Sequence, residues 1–499
     1  MLRRDYKVLF VSFYNIEAYG LRQLHSILNS EGYDAKMLFL KLNSVKNRTD
    51  LRKKIIGTFT NESNNLTKTE EELLVNFILD YKPDLICFSL LSPNFGLYKR
   101  IFNSIRSLGD FKILLGGWQV SLNPEQCIDY ADILCIGEGE EILPELVRNL
   151  FDNKPITNIP NLWINTGNGI VKNPVGSLNQ DLNKFPIPVF NDKQSYYIEN
   201  DQFLHKEPYM DNTSYGIIAG RGCPYKCTYC SNSFMAENIY PKAWSKIRHR
   251  SVEHVISELI QAKQKLPKIT RINFYDEVFL PQKDWALKFF ERYCEEIKLP
   301  FYCMFFPGTC NDELAGLLSK AMLDGVWLGV QSGSVRVRKE VFKRHYTNET
   351  VIKQADIFKK NNINVRYDFI LDNPFESFEE SLESIKLMLE FPEPFSLNLF
   401  SLKYFPNTEI TRMALEAGII KEDNLDDHIK SDHHNYFISG SDKNSDNNFI
   451  NYVAMYISLL AVDVRVQKEK QNISKIIDNY ILTRKIEEIK DVLEALLHI

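Results

Sequence analysis

The stretch GRGCPYKCTYCSNS sets three cysteines, Cys223, Cys227 and Cys230, on one short loop directly after an apolar run, and it limits the possible folds more than any other feature. Three thiols separated by three and then two residues, with no fourth close by, suit an iron–sulfur cluster in which one iron lacks a protein ligand. Cluster irons favour four-coordinate thiolate and sulfide ligation, so the open iron is free to bind a substrate or cofactor directly. Gly220, Gly222 and Pro224 let the backbone turn tightly and aim N–H groups at sulfur. Lys226 adds a cation that favours thiolate. A structural zinc site asks for a fourth Cys or His, and a zinc ribbon for a second CxxC pair. Three core cysteines would not be interleaved with proline, glycine and lysine.

Such a loop needs a strand end to hold it. From Ser214 to about Ile420 the candidate strands are YGIIAG, TRINFYD, PFYCMFF, GVWLGV, NVRYDFIL and FSLNLFSL. Helical patterns separate them at Ser251 to Lys265, Trp285 to Ile297, Asp312 to Leu323, Asn348 to Lys360 and Phe378 to Glu390, the last led by a Ser377 and Glu380 capping box. Six βα units predict a partial (β/α)6 barrel of the TIM type, with chemistry at the carboxyl ends of its strands. The cysteines follow the first strand.

At 499 residues the chain is too long for one ordinary core. From Lys7 to about Leu150 a second βα series appears, with apolar runs KVLFVSF, AKMLFL, DLICFSL, KILLGG and ADILCIG. Continuous rather than alternating hydrophobicity fits strands covered on both faces, hence a doubly wound, flavodoxin-like or Rossmann-like parallel sheet of about five strands. Ligands of such sheets bind beyond the carboxyl ends of the strands. Asn43 to Asp80 is an insertion, with Thr69 to Glu72 set for a capping box. The expected units are 1–151, a connection over 152–212 rich in Pro, Asn and Asp, the barrel over 213–422, and a helical region over 423–499. The polar stretch Asp423 to Asn448, with His428, His433 and His434, reads as a solvated loop.

The slight acidic excess gives no sign of a nucleic-acid surface. Phe449 to Val462 is too short and too polar to cross a bilayer and reads as a buried helix. MLRRDYKVLFVSF lacks a signal-peptide core and reads as a first strand, so a reducing cytoplasm is expected, where thiols are metal ligands or core residues.

CPYKCTYC resembles the CxxxCxφC fingerprint of the radical S-adenosylmethionine superfamily, with Tyr229 in the aromatic place. The resemblance implies a 4Fe-4S cluster whose open iron is chelated by the amino and carboxylate groups of S-adenosylmethionine. Reduction then cleaves the sulfonium to methionine and a 5′-deoxyadenosyl radical. It further implies contacts to that cofactor from Tyr229, from Asp276 and Glu277 after the second barrel strand, and from Gln331 and Ser332 after the fourth. Arg366 on the fifth strand, with Asp372 and Asn373 after it, completes the implied set. Gln331 stands where the family more often has Glu, which keeps an acceptor and loses a charge. Each of these alone is an ordinary strand-end polar residue; their order carries the weight.

The segments GLRQLHSILNSEGYDAKML, PDLICFSL, LLGGWQVSLNPE and DILCIGEGEE are similar to the cobalamin-binding domain that precedes the barrel in class B radical enzymes. The implied cobalamin contacts are Phe13, Tyr14, Asn15, Ser92, Gly116, Gly117, Trp118, Gln119, Gly137, Glu138 and Gly139. A flavodoxin-like domain with another ligand, or none, is the alternative the residues leave open. The DxHxxG motif that donates an axial histidine is absent, His25 reads as a packed surface histidine, and Gln119 stands where the family often has His. The implied cobalt is thus held without a protein histidine. Methylthiotransferases share the domain order but place a second cluster on three amino-terminal cysteines; here Cys87, Cys127 and Cys135 read as core thiols.

The family resemblance implies methyl transfer from methylcobalamin to an unactivated carbon, or a phosphorus, of a small molecule or peptide. A flavodoxin or ferredoxin is the implied electron donor. The alternatives are a non-methylating radical cyclase, rearrangement or oxidation with cobalamin as redox partner, a methylthiotransferase, and a cobalamin or redox sensor. No catalytic side chain is singled out.

Overall fold

The computed structural model describes residues 5–41, 66–279, 281–422 and 445–497. Its amino-terminal unit is built on a nine-stranded sheet in the order β7-β6-β5-β4-β3-β1-β2-β8-β9. The strands are β1 (Lys7–Phe13), β2 (Asp34–Leu40), β3 (Leu85–Ser89), β4 (Lys112–Gly116), β5 (Ile133–Cys135), β6 (Leu162–Asn165), β7 (Ile170–Lys172), β8 (Ser195–Glu199) and β9 (Gln202–Leu204). The run from β5 to β8 is parallel, and β6, β7 and β9 are antiparallel additions.

Within the parallel strands, successive side chains enter two separate cores. Val8 and Phe10 join one, Leu9 and Val11 the other. Helices α1 (Tyr19–Ser30), α2 (Lys68–Tyr81), α3 (Phe95–Ile105) and α4 (Ile142–Phe151) cover the sheet, with Leu21 and Leu146 in the first core and Leu74 and Ile101 in the second. That coverage is why the apolar runs are unbroken.

The 152–212 segment, expected as a bare connection, supplies four strands that extend this sheet at both edges. Short edge strands flanked by Pro and Asn carry little periodicity, which hid them. The capping box of α2 is Thr67 with Glu70, two residues before the expected Thr69. His25 is buried rather than on the surface, its Nε2 3.1 Å from the Ala35 carbonyl, and burial pushes its pKa down to about 4. Cys87 and Cys135 lie in one core and Cys127 in the other, so they cannot share a cluster. His428, His433, His434 and the first part of the Asn43 to Asp80 insertion lie outside the described residues.

The second unit is a six-stranded parallel sheet, β10 (Ser214–Ile217), β13 (Arg271–Phe274), β14 (Phe301–Phe305), β15 (Leu323–Gln331), β16 (Asn364–Leu371) and β17 (Phe395–Ser401), paired in that order. Its first and last strands do not pair, so the barrel is partial. Helices α5 (Val252–Lys265), α6 (Lys283–Arg292), α7 (Asp312–Lys320), α8 (Asn348–Lys360) and α9 (Phe378–Met388) alternate with the strands. The alternating burial of β14, β16 and β17 separates an outer face packed under helices from an inner, part-exposed face. A short helix at Glu409–Glu416 follows β17, and among the described residues beyond it are three more, α10 (Ser445–Val462), α11 (Val466–Thr483) and α12 (Glu487–Leu497). The α10 helix is buried from Asn448 to Ala461 and packs on β17 and α9, as its composition predicted. Among the described residues no helix is long and apolar enough to cross a membrane.

Candidate active site

The cysteine loop leaves the carboxyl end of β10. It is pinned by a two-residue antiparallel pairing of β11 (Gly220–Arg221) with β12 (Arg248–His249). Gly222 has φ +107°, and a Cβ there would lie 2.6 Å from the Trp244 carbonyl and 2.7 Å from that of Lys246. Only glycine fits. Cys223 N–H donates to the Trp244 carbonyl at 3.1 Å, and Cys230 N–H to that of Cys227 at 3.1 Å. Asn232 Nδ2 approaches Cys230 Sγ at 3.8 Å, and Arg344 Nη1 donates to Cys227 Sγ at 3.4 Å.

Burial first, and then the neighbouring thiols, push the Cys223 thiol up to about 12 and the Cys230 thiol up to about 11. A metal bound among the three sulfurs would favour the thiolate form of each. Among the described residues no three His, Cys, Asp or Glu side chains converge on a point that one metal ion could occupy. A single zinc would need its ligands about 2.3 Å from one centre. A cluster supplies a separate iron for each thiolate and does not ask the three sulfurs to meet at one centre. The expected cation, Lys226, is exposed; Arg344 is the buried one.

Two of the residues expected to contact S-adenosylmethionine carry a buried polar atom without a partner. Glu277 follows β13, lines the cleft described below, and has a buried Oε2 without a hydrogen-bond partner. Burial raises its pKa to about 7 against the opposing charge of Arg221. Asn373 is buried, with Oδ1 accepting from Phe375 N–H at 3.1 Å and Nδ2 unsatisfied. These two orphaned atoms, an acceptor and a donor, suit the polar ends of a zwitterionic cofactor.

Most of the other expected residues are already engaged within the fold. Asp276 Oδ2 accepts from Ala219 N–H at 3.1 Å and braces the run into the cysteine loop. Ser332 donates to Glu376 at 2.8 Å. Asp372 accepts from Asn451 Nδ2 at 2.8 Å and from Ser401. Gln331 ends β15 with φ +71°. Tyr229 packs edge-on against Phe342 and accepts from Arg344 at 3.2 Å. Arg366 sits mid-strand in register with Trp327 and Ser396, deeper than Asp372. Cys310 is buried against its own turn, with Sγ 3.6 Å from the Asn311 carbonyl.

A cleft of about 350 Å³ runs from the strand ends of the first sheet to Glu277 and Arg221 of the second. Phe13, Asn15, Gly116, Gly117, Trp118, Gly137, Glu138 and Gly139 line it, whereas Tyr14, Ser92 and Gln119 do not. Gln119 is buried and bonds Gln126 at 3.0 Å instead. Asn15 Oδ1 also caps the turn into α1, accepting from Glu17 and Ala18 N–H. Tyr19, Ser89, Ser121 and Trp244 also line it; Ser89 and Ser121 fall inside the segments that resemble the cobalamin-binding domain, whereas Tyr19 and Trp244 carried no motif and only the topology brings them in.

Two neighbouring glycines at the end of β4 line this cleft. Gly117, at φ +91°, would put a Cβ 2.8 Å from the Leu90 backbone, so the chain itself demands glycine there. Gly116 is different: its Cβ would meet nothing nearer than 3.8 Å, so its bareness serves access to the strand end. No histidine is among the lining residues.

Residues 217–388 match the model of the Radical SAM superfamily, and residues 7–147 that of the B12 binding domain. An uncharacterised methyltransferase of Pyrococcus horikoshii is 25% identical over 317 residues, 62% of this chain and 64% of that protein. The chain therefore spans somewhat less than two thirds of that relative's length. The radical S-adenosylmethionine methyltransferase TsrM of Kitasatospora setae, solved with tryptophan substrate and a SAM analogue, aligns with a TM-score of 0.64 at 18% identity over 82% of this chain and 76% of its own. The cobalamin-dependent S-adenosylmethionine radical enzyme OxsB, solved with aqua-cobalamin and S-adenosylmethionine, aligns at 0.65 and 16% identity over 99% of this chain and 75% of its own. At such identities the likeness to the two structures is one of fold.

Proposed function

This chain belongs to the cobalamin-dependent radical S-adenosylmethionine enzymes, and on that premise we propose that it methylates an unactivated carbon centre, or a phosphorus centre, of a small molecule or peptide. The observation that carries the reading is the single cleft that joins the strand ends of the B12 binding domain to Glu277 beside the cysteine loop. The Pyrococcus relative, named as a methyltransferase, supports the same direction.

In this reading Cys223, Cys227 and Cys230 hold a 4Fe-4S cluster, and Glu277 and Asn373 receive the polar ends of S-adenosylmethionine. Phe13, Asn15, Gly116, Gly117, Trp118 and the 137–139 turn face cobalamin. When bound, these cofactors supply a 5′-deoxyadenosyl radical to take a hydrogen atom from the substrate and a methyl group to replace it. The chain's own task is position and dryness. Phe10, Phe13, Leu24, Leu114, Met235 and Trp244 give the cleft apolar walls that keep water from reactive species. A flavodoxin or ferredoxin supplies the electron.

The test is anaerobic reconstitution with iron, sulfide and cobalamin, followed by reduction with S-adenosylmethionine labelled in its methyl group and a small-molecule extract. Formation of 5′-deoxyadenosine and transfer of label to one extract component are expected. Cleavage without label in any product removes methylation and leaves a non-methylating radical reaction; no cleavage at all removes the radical reading.

A further inference from the structure

We propose that Arg344 sets the reduction potential of the cluster, acting as a fixed, buried positive charge on the ligand Cys227. The proposal rests on the reading that the three cysteines hold a 4Fe-4S cluster.

Arg344 is 117 residues from Cys227 in sequence, yet its Nη1 lies 3.4 Å from that sulfur. The rest of the guanidinium is clamped. Nε donates to Tyr346 Oη at 3.1 Å, Nη1 is shared with Tyr229 Oη at 3.2 Å, and Nη2 donates to the Gly329 carbonyl. Its plane lies over Phe306, 4.2 Å from the ring centroid, and the other side of that ring stacks on Tyr225 of the cysteine loop at 3.6 Å. The side chain is 6% exposed, and among the described residues no carboxylate forms an ion pair with it.

A guanidinium cannot shed its proton to escape burial. Asp368 feels its charge from beyond ion-pair distance and is itself held by Asn398 at 2.8 Å, so the sulfur of Cys227 is the anion in direct contact with the guanidinium. Reduction adds one electron, from an external donor, to the cluster and its three thiolates; no bond is made or broken, and the site gains one unit of negative charge. A fixed positive charge at hydrogen-bond distance from a cluster ligand stabilises the reduced form more than the oxidised form, and low local polarisability strengthens the effect. Arg344 therefore makes the cluster easier to reduce. Tyr229 tempers this, because its oxygen accepts from Nη1 and sets a partial negative charge beside the guanidinium.

Potentiometric titration of the reconstituted full-length protein, followed by the electron paramagnetic resonance signal of the reduced cluster, tests the proposal without reference to turnover. Arg344→Gln with unchanged iron and sulfide content is expected to lower the reduced-to-oxidised ratio at fixed potential about tenfold, a shift of ~59 mV to the negative for one electron. Arg344→Lys, which keeps the charge, is expected to restore most of that ratio. An unmoved midpoint in Arg344→Gln overturns the proposal, as does a Lys variant as negative as the Gln one. If Arg344→Gln retains no iron, Tyr229→Phe carries the test. Without the partial negative charge of the Tyr229 oxygen beside it, the guanidinium acts on Cys227 less compensated, and the ratio is expected to rise about threefold; a fall or no change overturns the proposal. Wild-type protein that binds no iron at all overturns instead the cluster reading itself.

Discussion

Gly116 and Gly117 are neighbours with opposite reasons to be glycine, and the difference separates fold from ligand. At Gly117 a Cβ would press on the Leu90 backbone at 2.8 Å from a left-handed φ. Gly117→Ala is expected to cost about 2 kcal/mol, read as a lowered melting temperature. Gly116→Ala is expected to melt like the wild type and to lose bound cobalamin, read from the absorbance of the purified protein; undiminished cobalamin would take this strand end out of the site. Glu17 offers a pH test. Burial carries its pKa from the ordinary 4.5 to about 7, while a hydrogen bond from Tyr275 at 3.2 Å and the charge of Arg22 oppose the rise. The folded chain thus favours the protonated form, so its contribution to stability is complete below the unfolded value near 4.5 and is lost as pH rises through about 7. Glu17→Gln should raise the melting temperature at about pH 8 by a few degrees and leave it unchanged near pH 5. At this scale the cysteine triplet was plain from the sequence because its ligands are local. Arg344 was not, because its contact to Cys227 spans 117 residues and nothing nearby marks it.

Helix starts are local chemistry, and they show it. Ser377 caps α9 with its hydroxyl accepting from Glu380 N–H, while the Glu380 carboxylate accepts from Ser377 N–H. Ser377→Ala should lower stability by about 1 kcal/mol, measured by urea unfolding. The α10 helix depends instead on packing: Val453, Ala454 and Ile457 are fully buried against the β17 edge and its helical neighbours. Ile457→Ala should cost about 2 to 5 kcal/mol in the same assay. A loss under 1 kcal/mol would mean that this helix is not seated on the barrel as described. The eleven strands of the two parallel runs that apolar stretches announced are all present, because strands buried on both faces leave a dense signature. The strands β6 to β9 left none, being three to five residues long and at the sheet edges. The capping box of α2 was displaced by two residues because both Thr67 and Thr69 precede a glutamate by three. Only packing chooses between them: Glu70 is buried and also pairs with Lys41 at 2.8 Å.

The two units are joined at the cleft by buried ions rather than by apolar contact alone. Arg248 of β12 grips Glu138 of the first unit with two bonds, at 2.6 and 3.0 Å. Arg221, two residues before Cys223, reaches Glu140 at 2.7 Å and Glu138 at 3.3 Å. The turn that faces the cobalamin side is thereby tied to the strand that carries the cysteine loop, and this contact was invisible in sequence because its partners are about 110 residues apart. Burial alone would raise the Glu138 pKa, but the Arg248 hydrogen bonds and the charges of Arg221 and Arg248 bring it below the ordinary 4.5. A depressed carboxylate stabilises the fold at neutral pH and loses that contribution as pH falls through its folded value, so acid should loosen the junction first. Arg248→Met leaves Glu138 buried with the more distant Arg221 as its remaining cation, a change expected to cost about 3 to 5 kcal/mol. If the junction aligns the two halves of the cleft, iron and cobalamin retention should fall together in this variant, and Glu138→Gln with Arg248→Gln should recover part of both. Loss of one cofactor with full retention of the other would show that each half assembles by itself and that the ion pairs only weld the surfaces.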